Sequence, residues 1–205
     1  MKKTIEEHAD RFSDIAGDYD DSQDSEEYRA CVSLVVEHAD PGADDVVLDL
    51  GTGTGAIALA LAPDAKRVIG RDISEGMMDE ARTKAEENDI GNVEFGEGRF
   101  RDPNVGEDID IVVSNFAMHH LSDEEKSEAI EAIAELGPRK FVLGDVMFFG
   151  TPDPEVPFYS PEVDDPSTVG HLADVLTDNG FSLTAVERVH EQVGVLVAER
   201  VQESS

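Results

Sequence analysis

Two adjacent histidines, His119 and His120, follow an apolar run in "SNFAMHHLSDEEK", in a chain with six histidines and a single cysteine. Imidazole changes charge near neutral pH, so the pair can serve as a general base, ligate a metal or simply pack. A metal needs three or four converging donors, commonly at helical or short-turn spacing. Adjacent residues usually point apart, Cys31 is remote and no His-x-x-x-His occurs, so no metal site is expected. A second constellation lies earlier. In "VVLDLGTGTGAIAL", Gly51, Gly53 and Gly55 separate an apolar run from a helical one. Glycines let a backbone turn sharply and approach a ligand, and the helix start beyond them offers free N–H groups. Asp49 precedes the loop by two residues, and Asp72 follows the first glycine by 72 − 51 = 21.

The loop satisfies the dinucleotide pattern G-x-G-x-x-A with Gly51, Gly53 and Ala56, and an acid at Asp72 can grip a ribose diol. A nicotinamide-dependent oxidoreductase, NAD(P) being its cofactor, fits these features. Asp49 weighs the other way, because a carboxylate beside a pyrophosphate is repelled. It suits a ligand with an ammonium group and no phosphate. The plain alternative is an acid hydrogen-bonded to backbone at a strand end.

These residues must be positioned by the elements around them. "TIEEHADRFSDIA" reads as a helix and "GDYDDSQD" as a polar break. "SEEYRACVSLVVEHAD" is a second helix, capped by Ser25 and ended by Pro41-Gly42. Strands and helices then alternate. Strands are expected over 45–50 and 67–73 and within "NVEFGEG", "DIDIVVSNF" and "KFVLGDVMFF". The helices start at "AIALALA", at Ser74 and at Ser122, with Gly137-Pro138 closing the last. A helix near "STVGHLADVLTDN" and two strands, "FSLTAVERV" and "VGVLVAER", complete the chain. Alternation predicts an α/β fold whose parallel sheet is covered by helices on both faces. The last two strands are too close in sequence to be anything but antiparallel. The expected sheet is therefore seven-stranded, mostly parallel, and finished by a hairpin.

Residues 147–167 lack clear periodicity and carry Phe148, Phe149, Phe158, Tyr159 and five prolines. Loops beyond the C-terminal ends of parallel strands form the binding crevice of such sheets, so this stretch reads as a substrate wall. Asp145, inside the fifth strand, can reach either that pocket or a buried backbone partner.

Composition narrows the function. With 205 residues the chain is the size of one domain. Sixteen basic against 47 acidic residues give a net charge of −31, spread evenly and with few lysines. Such a surface repels itself at low ionic strength and is relieved by salt, so the chain reads as salt-adapted, of the haloarchaeal kind. Direct binding to a nucleic-acid backbone is disfavoured. The start lacks a signal-peptide core, and the longest apolar run, "AIALALA", is far too short to span a membrane. A cytoplasmic protein is expected.

Together these stretches resemble the class I S-adenosylmethionine-dependent methyltransferases. "VLDLGTGTG" is similar to their first motif, "VIGRDISEGMM" to their second-strand motif, "DIVVSNFAMHHLSDEEK" to strand four and its loop, and "FVLGDVMF" to strand five. The resemblance covers roughly residues 12–200 and implies a Rossmann-like fold. It also implies S-adenosylmethionine as cofactor, with S-adenosylhomocysteine as product, and a small-molecule methyl acceptor. Gly51, Thr52 and Gly53 would line the methionine moiety and Asp49 would orient its amino group. Asp72 would hold the ribose, Ile73 and Met77 would flank the adenine, and Tyr19 would lie in an N-terminal lid. Asn115 would face the sulfonium and the acceptor. The family usually shows Gly-Asp after strand three, whereas here Gly98 is followed by Arg99. Arg99 can stack on the adenine, with the Phe100 N–H still available to the ring, or Asp102 can replace the missing acid, or Arg99 can face solvent. In the family the second histidine, here His120, commonly tucks against the sheet, leaving His119 toward the substrate. The implied layout is one domain, with a lid over 1–40, a cofactor core over 45–146, a substrate loop over 147–167 and a terminal helix and hairpin over 168–201. A monomer or homodimer is expected. The enzyme's rival is a non-catalytic module that keeps the cofactor pocket.

Overall fold

The computed structural model describes residues 5–22, 25–151 and 157–200. Thr4 at the expected start of the first helix, residues 23 and 24 of the expected break, and Pro152 and Pro154 of the substrate stretch lie outside them.

Among the described residues eight strands form one sheet: β1 (Val46–Leu50), β2 (Arg67–Asp72), β3 (Val93–Glu97), β4 (Ile111–Asn115), β5 (Lys140–Phe148), β6 (Ser167–Thr168), β7 (Phe181–His190) and β8 (Val193–Arg200). Their spatial order is β3-β2-β1-β4-β5-β8-β7, with β6 alongside β5. β1 to β5 run parallel, and β8 lies antiparallel between β5 and β7. The expected seven strands are present, hairpin included. β6 is an addition that the sequence did not announce, a two-residue strand at the end of the substrate stretch pairing with Met147 and Phe148.

Among the described residues six helices flank the sheet: α1 (Ile5–Ser22), α2 (Glu26–Ala39), α3 (Ala56–Leu61), α4 (Glu75–Glu87), α5 (Asp123–Glu135) and α6 (Val169–Asp178). Local chemistry fixes most of their ends. Ser25 accepts from the Tyr28 N–H, Ser74 from Met77, and Ser122 with Glu125 forms a capping box. α2 stops where Asp40 enters the left-handed region (φ 38°), ahead of Pro41.

Alternate residues of the central strands feed two cores. Val47, Val68, Val113 and Val142 face α2, α3 and α4, with Cys31, Ile57 and Met78 among their partners. Leu48, Ile69, Val112 and Phe141 face α5 and α6 through Ile130, Ile133, Leu172 and Leu176. Every residue of β1 is buried, which is what helices on both faces demand.

One expected boundary moves. α1 runs unbroken through Gly17 and Asp18, where a polar break was expected. The reason is tertiary: α1 docks on α4, with Ser13 Oγ 2.9 Å from Ser74 Oγ, and the face carrying Phe12 and Tyr19 turns inward with it. Packing of that face outweighs the poor helix propensity of Gly and Asp.

Candidate active site

The chain proceeds from β1 outward through β2 and β3, then returns to the other side of β1 with β4 and β5. Such a reversal leaves a crevice beyond the C-terminal strand ends. A cavity of about 310 Å³ opens there, between the strand ends and α1.

The glycine loop forms its floor. Gly51 (φ 71°) and Gly53 (φ 54°) are left-handed. A Cβ on Gly51 would stand 2.4 Å from that of Ala117, whereas one on Gly53 would meet nothing within 4 Å. Gly51 is thus required by packing, and Gly53 leaves open space facing the cavity. Asp49 is 1% exposed and accepts a hydrogen bond from the Thr52 hydroxyl at 2.7 Å. Burial pushes its pKa up to about 7, with the nearby Asp72 adding and the Thr52 hydrogen bond opposing. It has no ion-pair partner among the described residues. A buried carboxylate that faces a cavity and pairs with no described cation is built to receive one.

Asp72 accepts from the Gly53 N–H at 2.8 Å through one oxygen and from Ser74 at 2.9 Å through the other. Its pKa is raised by burial, against the pull of those N–H groups. Each oxygen keeps a lone pair for a further donor, as a diol would supply. Ile73 and Met77 line the cavity with it, as do Gly98, whose N–H donates to the Asp72 carbonyl at 3.1 Å, Arg99 and Phe100. Arg99 is exposed at the rim, its backbone paired in both directions with that of Asp102. Asp102 itself does not line the cavity, so it does not take the place of the missing acid.

Asn115, at the tip of β4, presents an amide whose nitrogen and oxygen are both buried without a hydrogen-bond partner. Orphaned buried amides are rare, and here the orphan sits on the cavity wall. Beneath it, a Cβ on Gly144 would collide with Asn115 Oδ1 at 2.5 Å and Cys31 Sγ at 2.7 Å. Phe116 follows with φ 51°, a strained conformation for a bulky residue and one that gathers at functional sites.

α1 roofs the cavity with His8, Phe12 and Tyr19. It docks on α4, where Ser13 Oγ meets Ser74 Oγ at 2.9 Å and Gly76 lets the helices close. Every expected cofactor-contacting residue, Tyr19, Asp49, Gly51, Thr52, Gly53, Asp72, Ile73, Met77, Arg99, Phe100 and Asn115, therefore reaches this one cavity.

A second cavity of about 520 Å³ adjoins it. Phe12, Tyr19, Phe116 and His120 line both, so they form the junction. Phe158 and Tyr159 reach the second cavity as the aromatic wall expected. Phe148 and Phe149 do not: Phe148 packs on Tyr159, and Phe149 lies against Gly194 of β8.

The histidines occupy a 3₁₀ turn over Met118–His120 in which His119, not His120 as expected, is the more buried, while both line the second cavity. His119 tucks inward, 7% exposed, Nδ1 at 2.6 Å from Asp145 Oδ1 and its backbone N–H on Asp145 Oδ2. His120 is the one at the junction, with Nδ1 2.7 Å from Asp164 Oδ1. The cause is Asp145, which β5 holds as an acceptor under the turn. Burial opposes charge on His119, yet the carboxylates of Asp145 and Asp164 outweigh it and raise its pKa. On His120 burial and the neighbouring His119 charge together lower it. His119, His120 and Asp164 offer ligand atoms within 4.8 Å of one another, a spacing the sequence hides. Both Nδ1 atoms are, however, already engaged by carboxylates.

Sequence reasoning missed His8, Phe12, Tyr28, Phe116 and Asp164. Phe12 and Tyr19, with His8 one turn earlier, form a helical stripe that periodicity shows. Asp164 is one acid among many and gives no local signal.

A methyltransferase-domain family matches residues 47–137. An uncharacterized methyltransferase of Oceanobacillus iheyensis is 37% identical over 154 residues, which cover 69% of this chain and 68% of that one. A release factor glutamine methyltransferase of Aliivibrio fischeri is 42% identical over 87 residues, 41% of this chain and 30% of its own. Magnesium protoporphyrin IX methyltransferase from Synechocystis, crystallised with S-adenosylmethionine, is 27% identical, with a TM-score of 0.65 over 85% of this chain and 78% of that one. These relatives are bacterial, so the expected haloarchaeal character is not borne out. The dinucleotide reading of Gly51, Gly53 and Ala56 gives way as well: the chain belongs to the class I S-adenosylmethionine-dependent methyltransferases.

Proposed function

We propose that the chain methylates a small molecule seated in the second cavity, with S-adenosylmethionine in the first. The observation that carries this reading is the junction of Phe12, Tyr19, Phe116 and His120, which joins a cavity holding the acids Asp49 and Asp72 to one walled by Phe158 and Tyr159. Asp49 takes the amino group of the methionine moiety, beside Thr52 and the open face of Gly53. Asp72 takes the ribose hydroxyls. Ile73 and Met77 flank the adenine, with Arg99 stacked at its rim and the Phe100 N–H toward the ring. Tyr19 closes the lid, and Asn115 meets the sulfonium side and the acceptor with its orphaned amide. The cofactor supplies an activated methyl group, and the protein's part is to hold donor and acceptor in line while excluding water. Two acids at the glycine loop, neither in an ion pair among the described residues, favour a cationic ligand there over a pyrophosphate.

A small acceptor is favoured over a nucleic acid by the −31 charge and over a large surface by the roof that α1 places on the site. No helix among the described residues is long and apolar enough to cross a membrane. We place the protein in the cytoplasm, acting as one domain, as a monomer or homodimer, with a surface suited to high salt. The test is transfer of tritiated methyl from S-adenosylmethionine in a lysate stripped of endogenous cofactor. Label in the low-molecular-weight fraction supports the reading. Label confined to protein or RNA contradicts it.

A further inference from the structure

Resting on the acceptor's place in the second cavity, the geometry around His120 narrows what that acceptor is. A carboxylate only accepts, so Nδ1 of His120 carries the proton shared with Asp164 at 2.7 Å, and Nε2 keeps its lone pair. Asp164 is steadied by the Ser160 N–H at 2.8 Å. The loop bearing it is fastened to the histidine turn, since the Asp165 N–H donates to the His119 carbonyl at 2.7 Å. The His119 ring stands 4.1 Å from that of His120, centroid to centroid, with its own carboxylate at Asp145. Two imidazolium rings at that spacing repel, so the ring tied to the fully buried Asp145 holds the charge and His120 stays neutral. The lowered pKa of His120 agrees.

A neutral base at the methyl crossing serves some acceptors and not others. A neutral amine already offers its lone pair and can release a proton after transfer. A hydroxyl oxygen is a weak nucleophile until its proton leaves. A phenol, at about 10 like tyrosine, lies within reach of an imidazole, whereas an aliphatic alcohol, near water's value of about 16, does not. The walls suit a flat ring. Phe116 and Phe158 meet at 6.3 Å, nearly edge-on, and Tyr159 lies beside them. Among the described residues Arg11 is the only lysine or arginine on that lining, and the chain's −31 charge repels anions.

We propose that the acceptor is an uncharged phenol, O-methylated in the second cavity, with Nε2 of His120 as the base and Asp164 as its positioning residue. The phenol oxygen gives its proton to Nε2 and its electron pair to the methyl carbon. The carbon–sulfur pair returns to sulfur. A methyl ether, S-adenosylhomocysteine and an imidazolium result, and the imidazolium then loses its proton to solvent.

The experiment offers the full chain, in molar KCl, naphthols and simple phenols against the matching aryl amines, with tritiated S-adenosylmethionine. O-methylation of phenols without transfer to amines is expected. His120→Gln should lower kcat at least 100-fold while the cofactor Kd, read by calorimetry, holds. Asp164→Asn should lower kcat and move the acidic limb of the kcat/KM profile to lower pH, because a negative neighbour that raises the His120 pKa is gone. Cofactor binding with no transfer to any phenol overturns the proposal, as does transfer to amines alone or an unaffected His120→Gln. Turnover abolished by a chelator and restored by zinc overturns it too, in favour of a metal-bound oxygen at His119, His120 and Asp164. Loss of cofactor binding in the unmodified protein would instead strike the reading beneath it.

Discussion

The Thr52 hydroxyl donates to the Asp49 carboxylate at 2.7 Å, deep in a cavity where no cation among the described residues pairs with this acid. Burial, the main cause, lifts the Asp49 pKa from an ordinary 3.8 to about 7. Below that value the empty site holds a neutral acid, and an ammonium-bearing ligand must expel its proton. The association constant for S-adenosylmethionine should therefore fall by up to tenfold per pH unit below about 7, with proton release on binding. Calorimetry in two buffers of different ionisation enthalpy measures both.

The same shift has a stability counterpart. A carboxyl group with a raised folded-state pKa contributes stability that is present below about 4 and is lost as pH rises through about 7. Asp49→Asn should raise the melting temperature of the empty protein at pH 8. Removing one partner of a buried charge pair typically costs about 2–5 kcal/mol, so the variant should also bind cofactor at least about 30-fold more weakly. A variant that binds normally would show that Asp49 is a structural acid.

The two left-handed glycines separate folding from binding. Gly51→Ala adds a clash with Ala117 to the left-handed strain of about 1–2 kcal/mol and should lower the melting temperature most. Gly53→Ala carries the strain alone, with its methyl pointing into open space where the ligand belongs. It should melt within a few degrees of the parent and still bind cofactor at least tenfold more weakly.

Much of this was legible in the sequence, for reasons that are local. Hydrophobic runs broken by Gly and Pro marked the strands, and Ser25, Ser74 and Ser122 cap the helices they precede. Asp49, Gly53 and Asp72 stand out because their chemistry depends on spacing within one βαβ unit. What escaped depends on distant contacts. α1 continues through Gly17 because its inner face packs on α4 and the cavity. β6 exists only where Met147 lies alongside. The tuck of His119 rather than His120 escaped because Asp145 lies 26 residues downstream of His119, and Asp164 44 residues downstream of His120.

The lid contact predicts a kinetic effect. A Cβ on Gly76 would stand 2.8 Å from Ser13 Cα, so Gly76→Ala must push α1 away from α4. Alanine in the first turn of a helix gains up to about 1 kcal/mol over glycine, so stability should hold. The cofactor's dissociation rate should rise severalfold by stopped-flow displacement. An unchanged rate would mean that α1 does not gate the cavity.

The excess of acids sets a salt dependence. Screening shortens from about 10 Å at 0.1 M to about 3 Å at 1 M. The melting temperature should climb by about 5 °C or more over that range of KCl, corresponding to about 2 kcal/mol. A midpoint highest in dilute buffer would refute salt adaptation of the −31 surface.

The central claim is tested most directly by calorimetric titration of the purified chain, in molar KCl at pH 7.5, with S-adenosylmethionine, S-adenosylhomocysteine and NADH. Saturable one-to-one binding of both adenosyl ligands, abolished by Asp72→Ala and absent for NADH, is the predicted result. Binding of NADH alone, or adenosyl binding that survives Asp72→Ala unchanged, would contradict the placement of the cofactor on this glycine loop.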